Sequence, residues 1–134
     1  MTEGRAFIEG IGGVFLKAND PKALAEWYAR HFGLKFQSSS CGSGENYWLE
    51  FVYHEDSERG QRAATVFAIQ SAESVLPAER HAVEINYSVN DLDQLLAQLT
   101  AAGVTVEKRE DYDYGRFARI RDPENNRLEL YQPL

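Results

Sequence analysis

The residues best able to do chemistry are carboxylates and aromatics rather than histidines or cysteine. Glu84 sits in a stretch where Ile85, Tyr87 and Val89 alternate with Glu84, Asn86 and Ser88. Near the C-terminus Leu128 and Leu130 alternate with Arg127, Glu129 and Tyr131. Period-two alternation puts each carboxylate on the polar face of a strand whose other face is apolar. Two carboxylates close together repel, so one can keep a proton near neutral pH and act as a general acid or base. Glu129 also has a plainer role open to it, a cross-strand pair with Arg119, and Glu84 has the same with Arg116 or Arg119. Tyr112, Tyr114 and Arg116 flank Gly115, and by residue type they suit a surface loop whose aromatics cover a sheet edge. Phe15 and Trp48 offer apolar surface for a planar ligand, or core packing.

Other chemistries lack their signatures. His31, His54 and His81 form no HxH, HxxxH or HExxH spacing. Cys41 lies in a Ser/Gly stretch with no base indicated for it. Gly10-Ile11-Gly12-Gly13 falls within a strand pattern rather than after one, which argues against a phosphate loop.

The elements that must position these residues come in two matching sets. A strand pattern at 7–18 runs into Asn19-Asp20-Pro21, where Asp20 suits a helix N-cap and Pro21 the first helical position. A helix over 21–32 follows, stopped by Gly33, with strands expected at 34–37, 46–54 and 63–70. The Ser/Gly-rich 38–44 reads as a flexible connection. After a linker at 71–80 the order restarts. A strand at 82–89 leads into Asn90-Asp91, a helix over 92–102 ends at Gly103, and strands are expected at 104–108, 115–121 and 127–132. Asp122 to Asn126 reads as the tight turn of the last hairpin. The expectation is one α+β domain over 1–134, built of two βαβββ modules at about 7–70 and 81–134. Each helix covers one face of a four-stranded sheet. The opposite face, polar with aromatics, is either solvated or a ligand-binding concavity.

Composition bounds the partners. The chain has 134 residues, 43% hydrophobic and 26% charged, enough for one ordinary core. The net charge of −7, with acids and bases interspersed, argues against nucleic acid or an anionic membrane as partner. No apolar run is long enough to span a bilayer, and residues 1–5 carry no apolar signal core. A single cysteine precludes an intrachain disulfide and points to a cytoplasmic setting.

Three segments carry a family resemblance. These are Ile11 to Pro21 followed by Trp27-Tyr28 and Phe32-Gly33-Leu34; Val83 to Leu92; and Tyr114 to Phe117 followed by Arg121 to Leu130. In order and spacing they resemble the vicinal oxygen chelate superfamily of glyoxalases, bleomycin-resistance proteins and extradiol dioxygenases. The resemblance implies a cup-shaped mixed β-sheet with the helices outside, and commonly a homodimer. It places the family's metal-ligand positions at Gly13, Glu84 and Glu129; the first module could lend Gln70 or Glu50 as a further donor, but no motif points to either. Gly13 has no side chain, so the family site is incomplete. A metal held by Glu84 and Glu129 would be Mg²⁺, Mn²⁺, Ni²⁺ or Zn²⁺, with oxygen-only donors favouring the first two. The resulting expectation is a small-molecule-binding, resistance-type protein without a complete metal site. Its ligand contacts are Asn86, Tyr114, Arg116, Phe15, Trp48 and Tyr131. The alternative is a metal-dependent lyase, isomerase or dioxygenase in which Glu84 and Glu129 are catalytic.

Overall fold

A computed structural model describes residues 11, 13–41, 44–56, 61–77 and 84–134, with the backbone alone at 40–41, 54–56 and 61–63. The order is β1 (Gly13–Ala18), α1 (Pro21–Phe32), β2 (Gln37–Cys41), β3 (Gly44–Asp56), β4 (Gln61–Ser71), then β5 (Glu84–Ser88), α2 (Leu92–Ala101), β6 (Lys108–Tyr112), β7 (Gly115–Arg121) and β8 (Arg127–Pro133). The strands form two four-stranded sheets, β1-β4-β3-β2 and β5-β8-β7-β6. In each, the strand before the helix pairs in parallel with the last strand, and the remaining pairs are antiparallel. Two βαβββ units of identical topology account for the internal repeat.

The helices begin and end as their sequences dictate. The Asp20 carboxylate accepts from the Ala23 amide at 3.1 Å, and Asp91 does the same for Gln94 at 3.1 Å. Gly33 at φ 67° and Gly103 at φ 87° turn the chain in the left-handed region that glycine tolerates. On α1 the buried side chains Leu24, Ala25, Trp27 and Tyr28 form the stripe that packs on β1, β3 and β4. On α2 Leu92 and Leu99 do the same against β7 and β8. The helices cover separate sheets and do not make a helical core.

The second strand of each module begins later than expected. Residues 34–36 and 104–107 are not strand, and β2 and β6 start at Gln37 and Lys108. The alternating apolar residues there, Leu34 and Phe36 or Val104 and Val106, instead pack against the core as the chain leaves the helix. Residues 38–41, expected to be a connection, form an edge strand that pairs Ser38 with Tyr47 and Ser39 with Asn46. Backbone pairing with β3 sustains this strand where side-chain patterning does not. The parts of the expected strands at 7–12 and 82–83 fall almost wholly outside the described residues.

One apolar cluster joins both modules on their helix-bearing faces, from Leu24, Tyr28 and Phe67 to Leu99, Ile120, Leu128 and Leu130. The Tyr28, Phe67 and Tyr87 rings meet across the boundary, with centroids 5.5–6.3 Å apart. Polar ties accompany them. The Tyr28 hydroxyl donates to Asp122 Oδ2 at 2.9 Å, and the Glu124 carboxylate accepts from the Asn19 and Asp20 amides at 2.9 Å each. Among the described residues no helix is long and apolar enough to cross a membrane.

Candidate functional site

The open face of the second sheet collects most of the candidates. Strand register sets Asn86 beside Glu129, Ser88 beside Tyr131, Arg119 beside Glu129 and Phe117 beside Tyr131. Alternation therefore brings Glu84, Asn86, Arg119, Glu129, Phe117 and Tyr131 to one side, while Ile85, Tyr87, Leu128 and Leu130 take the helix side. The two carboxylates each have a donor. Arg119 Nε lies 3.0 Å from Glu84 Oε1, both side chains about 30% exposed, and Asn86 Nδ2 lies 2.8 Å from Glu129 Oε1. Arg119 stands opposite Glu129 in the ladder yet turns its guanidinium to Glu84.

Beside this polar group stands a cluster of four rings. Phe117 and Tyr131 stack with centroids 4.8 Å apart, and Tyr112 and Tyr114 stack at 5.5 Å with planes 6° apart. Both tyrosines of the second pair meet Phe117 edge-on, at 5.8 and 5.9 Å. These offset and edge contacts are the geometries that ring quadrupoles favour. The Tyr112 hydroxyl donates to Glu110, which also holds Lys108 at 3.1 Å. The hydrogen bond to Glu110 is the largest cause of a raised Tyr112 pKa, and its counterpart lowers that of Glu110. Gly115 lies under the Tyr131 ring, where a β-carbon would come within 2.5 Å of a ring carbon. Tyr114 thus lies in the ring cluster beside the polar group. Phe117 was readable as a member by counting in twos from Glu129's partner Arg119.

Arg116 does not join it. It is one residue out of step with Phe117 and Arg119, so it faces α2, where its guanidinium lies 3.0 Å from Asp93. Arg109 holds the other oxygen of Asp93 at 3.0 Å, and together they fasten the first turn of α2 to the β6–β7 hairpin.

Phe15 and Trp48 lie on the open face of the first sheet, both flanking Ala68 in neighbouring strands. Phe15 is 54% exposed. Its ring lies across Gly13, where a β-carbon would meet it at 2.9 Å. Gln70 accepts from Lys17, and Glu50 lies on the same face, exposed. A dent of about 10 Å³ on the second open face includes Arg119 and Glu129.

The donors among the described residues do not assemble a metal site. Among the described residues no group of three or more His, Cys, Asp or Glu side chains is arranged to hold an ion. Glu84 and Glu129 are engaged by Arg119 and Asn86, and the position at Gly13 is both bare and covered by Phe15. His31 packs edge-on against Trp27 at 5.0 Å. The side chains of Cys41, His54 and His81 lie outside the described residues.

A duplicated βαβββ chain with one polar, aromatic face per sheet defines a class, and the sequence comparisons agree with it. The family model of the glyoxalase-like domain matches residues 13–131. The chain belongs to the glyoxalase-like domain family, in keeping with the vicinal oxygen chelate superfamily. No curated protein sequence matches it significantly. Among solved structures it is similar to TnmS3, an antibiotic-binding protein from Streptomyces sp. CB03234, with a TM-score of 0.69, 19% identity, and coverage of 97% of this chain and 100% of that one. It is also similar to a glyoxylase/bleomycin resistance protein/dioxygenase domain from Frankia sp. EAN1pec, with a TM-score of 0.66, 16% identity and coverage of 96% and 100%. A third is lactoylglutathione lyase from Agrobacterium tumefaciens, with a TM-score of 0.61, 18% identity and coverage of 93% and 94%. At these identities the likeness establishes the fold.

Proposed function

We propose that this protein binds a small, planar organic molecule on its open sheet faces, without a metal, in the manner of a sequestering protein. The observation that carries the proposal is the four-ring cluster of Tyr112, Tyr114, Phe117 and Tyr131 beside the Asn86–Glu129 and Arg119–Glu84 pairs. Stacked rings supply flat apolar area, and the adjoining amide, guanidinium and carboxylates supply hydrogen bonds that orient a ligand. Tyr114 at 63% and Phe15 at 54% exposure leave much of the aromatic surface uncovered in one chain. In this proposal a homodimer sets the open faces against one another and gives that surface walls. That a similar fold belongs to a protein described as antibiotic-binding is consistent with it. The alternative, a metal-dependent lyase, isomerase or dioxygenase, needs donors beyond Glu84 and Glu129.

The test is a small-molecule library screened by thermal shift, with and without added Mn²⁺, Ni²⁺ and Zn²⁺. Hits that stabilise the chelator-treated protein support the proposal. Glu129→Gln is expected to weaken them while changing stability by about 1 kcal/mol or less, as for a part-exposed polar pair. If Glu129→Gln/Arg119→Gln binds every hit like the wild type, the open face of the second sheet is not the site. Binding or turnover only with metal present overturns the metal-free reading.

A further inference from the structure

The helix-bearing side of the molecule carries a half-enclosed cleft of about 660 Å³ where the two modules meet. Its walls combine Phe32 at the end of α1 and Leu34 just past it with Phe51 of β3, Tyr87 of β5 and Leu95 of α2. Leu130 lies at its base, while its neighbours Glu129 and Tyr131 face the opposite way, so the cleft is separate from the open sheet face. Phe32, Leu34, Phe51 and Leu95 pack on the core yet are only partly buried, which leaves apolar wall facing the cleft. Polar groups stand on α1 and α2 and in the turn between β5 and α2: Arg30, Asn90, Gln94 and Gln98. The Asp91 carboxylate is occupied in capping α2.

These features select a ligand class. The volume falls within the range of about 300–1,000 Å³ that accommodates one small molecule, and junctions between structural units are where such sites gather. Aromatic and aliphatic walls favour a compact apolar body, and amide side chains offer both donors and acceptors to a single polar group. We propose that this inter-module cleft is a second small-molecule site, taking a compact aromatic molecule that keeps one hydrogen-bonding group beside Gln94 and Gln98. Burial, aided by Arg30, lowers the pKa of His31, which favours its neutral form beside the cleft at neutral pH. A neutral hydroxyl or carbonyl on the ligand suits that setting.

The probe is 2-naphthol, titrated into ¹⁵N-labelled full-length protein and followed by amide chemical shifts. The expected result is a saturable set of shifts clustered at Gly33, Leu34, Asn90, Gln94 and Gln98. Gln94→Trp and Gln98→Trp, at exposed helix positions that face the cleft, should fill it and weaken binding by about tenfold or more. Lys22→Trp, on the exposed part of α1 outside the cleft, should keep wild-type affinity, and dispersed spectra verify that each variant folds. Shifts clustered instead on Asn86, Arg119 and Glu129 overturn the proposal. So does unchanged affinity in both Gln variants, or the absence of saturable shifts. Cleft shifts that follow protein concentration rather than naphthol identify a second copy as the occupant and overturn it as well.

Discussion

Asp122 is the one charged side chain recorded as buried among the described residues, at 5% exposure, and its surroundings explain why the two modules hold together. Its carboxylate accepts from the Glu124 and Asn126 amides at 2.9 and 2.8 Å, from Asn126 Nδ2 at 2.7 Å and from the Tyr28 hydroxyl at 2.9 Å. Loss of hydration raises its pKa, and the four donors pull the other way without cancelling that effect. Because the folded value lies above the ordinary one, the fold binds the proton more tightly than the unfolded chain does. Its contribution to stability is therefore fullest below the ordinary carboxylate range and is lost as pH rises through the folded value. Tyr28→Phe removes one donor from the carboxylate. It should cost about 1.5–3 kcal/mol in denaturant unfolding, the range for a hydrogen bond to a charged group. The same variant should push the Asp122 titration higher still, as followed by carboxyl ¹³C shifts. A lower or unmoved titration would mean that the Tyr28 hydroxyl does not stabilise the carboxylate. Neither role was evident at the level of residue types: Tyr28 entered only with the segment that resembles the family, and Asp122 as part of a turn. Their contact spans ninety-four positions of sequence.

Elements explain both what alternation revealed and what it concealed. Asp20 and Asp91, each followed by an apolar helical stripe and a glycine, marked both helices closely because caps and stops are local chemistry. Glu84, Asn86 and Glu129 were correctly assigned to one face for the same reason. Leu34 to Phe36 and Val104 to Val106 alternate like strands but have no partner strand. They serve as apolar plugs between helix and sheet. The serines at 38–40 form β2 through main-chain bonds to β3, which residue type does not encode. Arg116 misled through its place in a motif, when a count of twos from Arg119 sets it on the helix side. The β7 hairpin end also makes a prediction of its own. At Gly115 a β-carbon would collide with the Tyr131 ring at 2.5 Å and approach the Gln132 carbonyl at 3.3 Å. Gly115→Ala should therefore cost about 1–3 kcal/mol, as overpacking does, and disturb the Phe117–Tyr131 stack. An unfolding midpoint equal to the wild type's would show that the ring moves freely aside.

At the scale of the whole molecule, the modules share one core on their helix-bearing sides, and among the described residues no helix packs on the polar, aromatic face of either sheet. Tyr114 at 63% and Phe15 at 54% exposure add apolar area to those surfaces. A homodimer is expected, so sedimentation at micromolar concentration should give about twice the 15.2 kDa chain mass. A mass of one chain would leave the open faces to ligand and solvent alone. The measurement that bears most directly on ligand binding without metal is calorimetric titration of a library hit into chelator-treated protein, wild type and Tyr114→Ala. The expected result is wild-type affinity unchanged by the chelator and weakened about threefold to tenfold in Tyr114→Ala, the worth of one aromatic contact. Affinity abolished by the chelator, or indifferent to the loss of Tyr114, would contradict it.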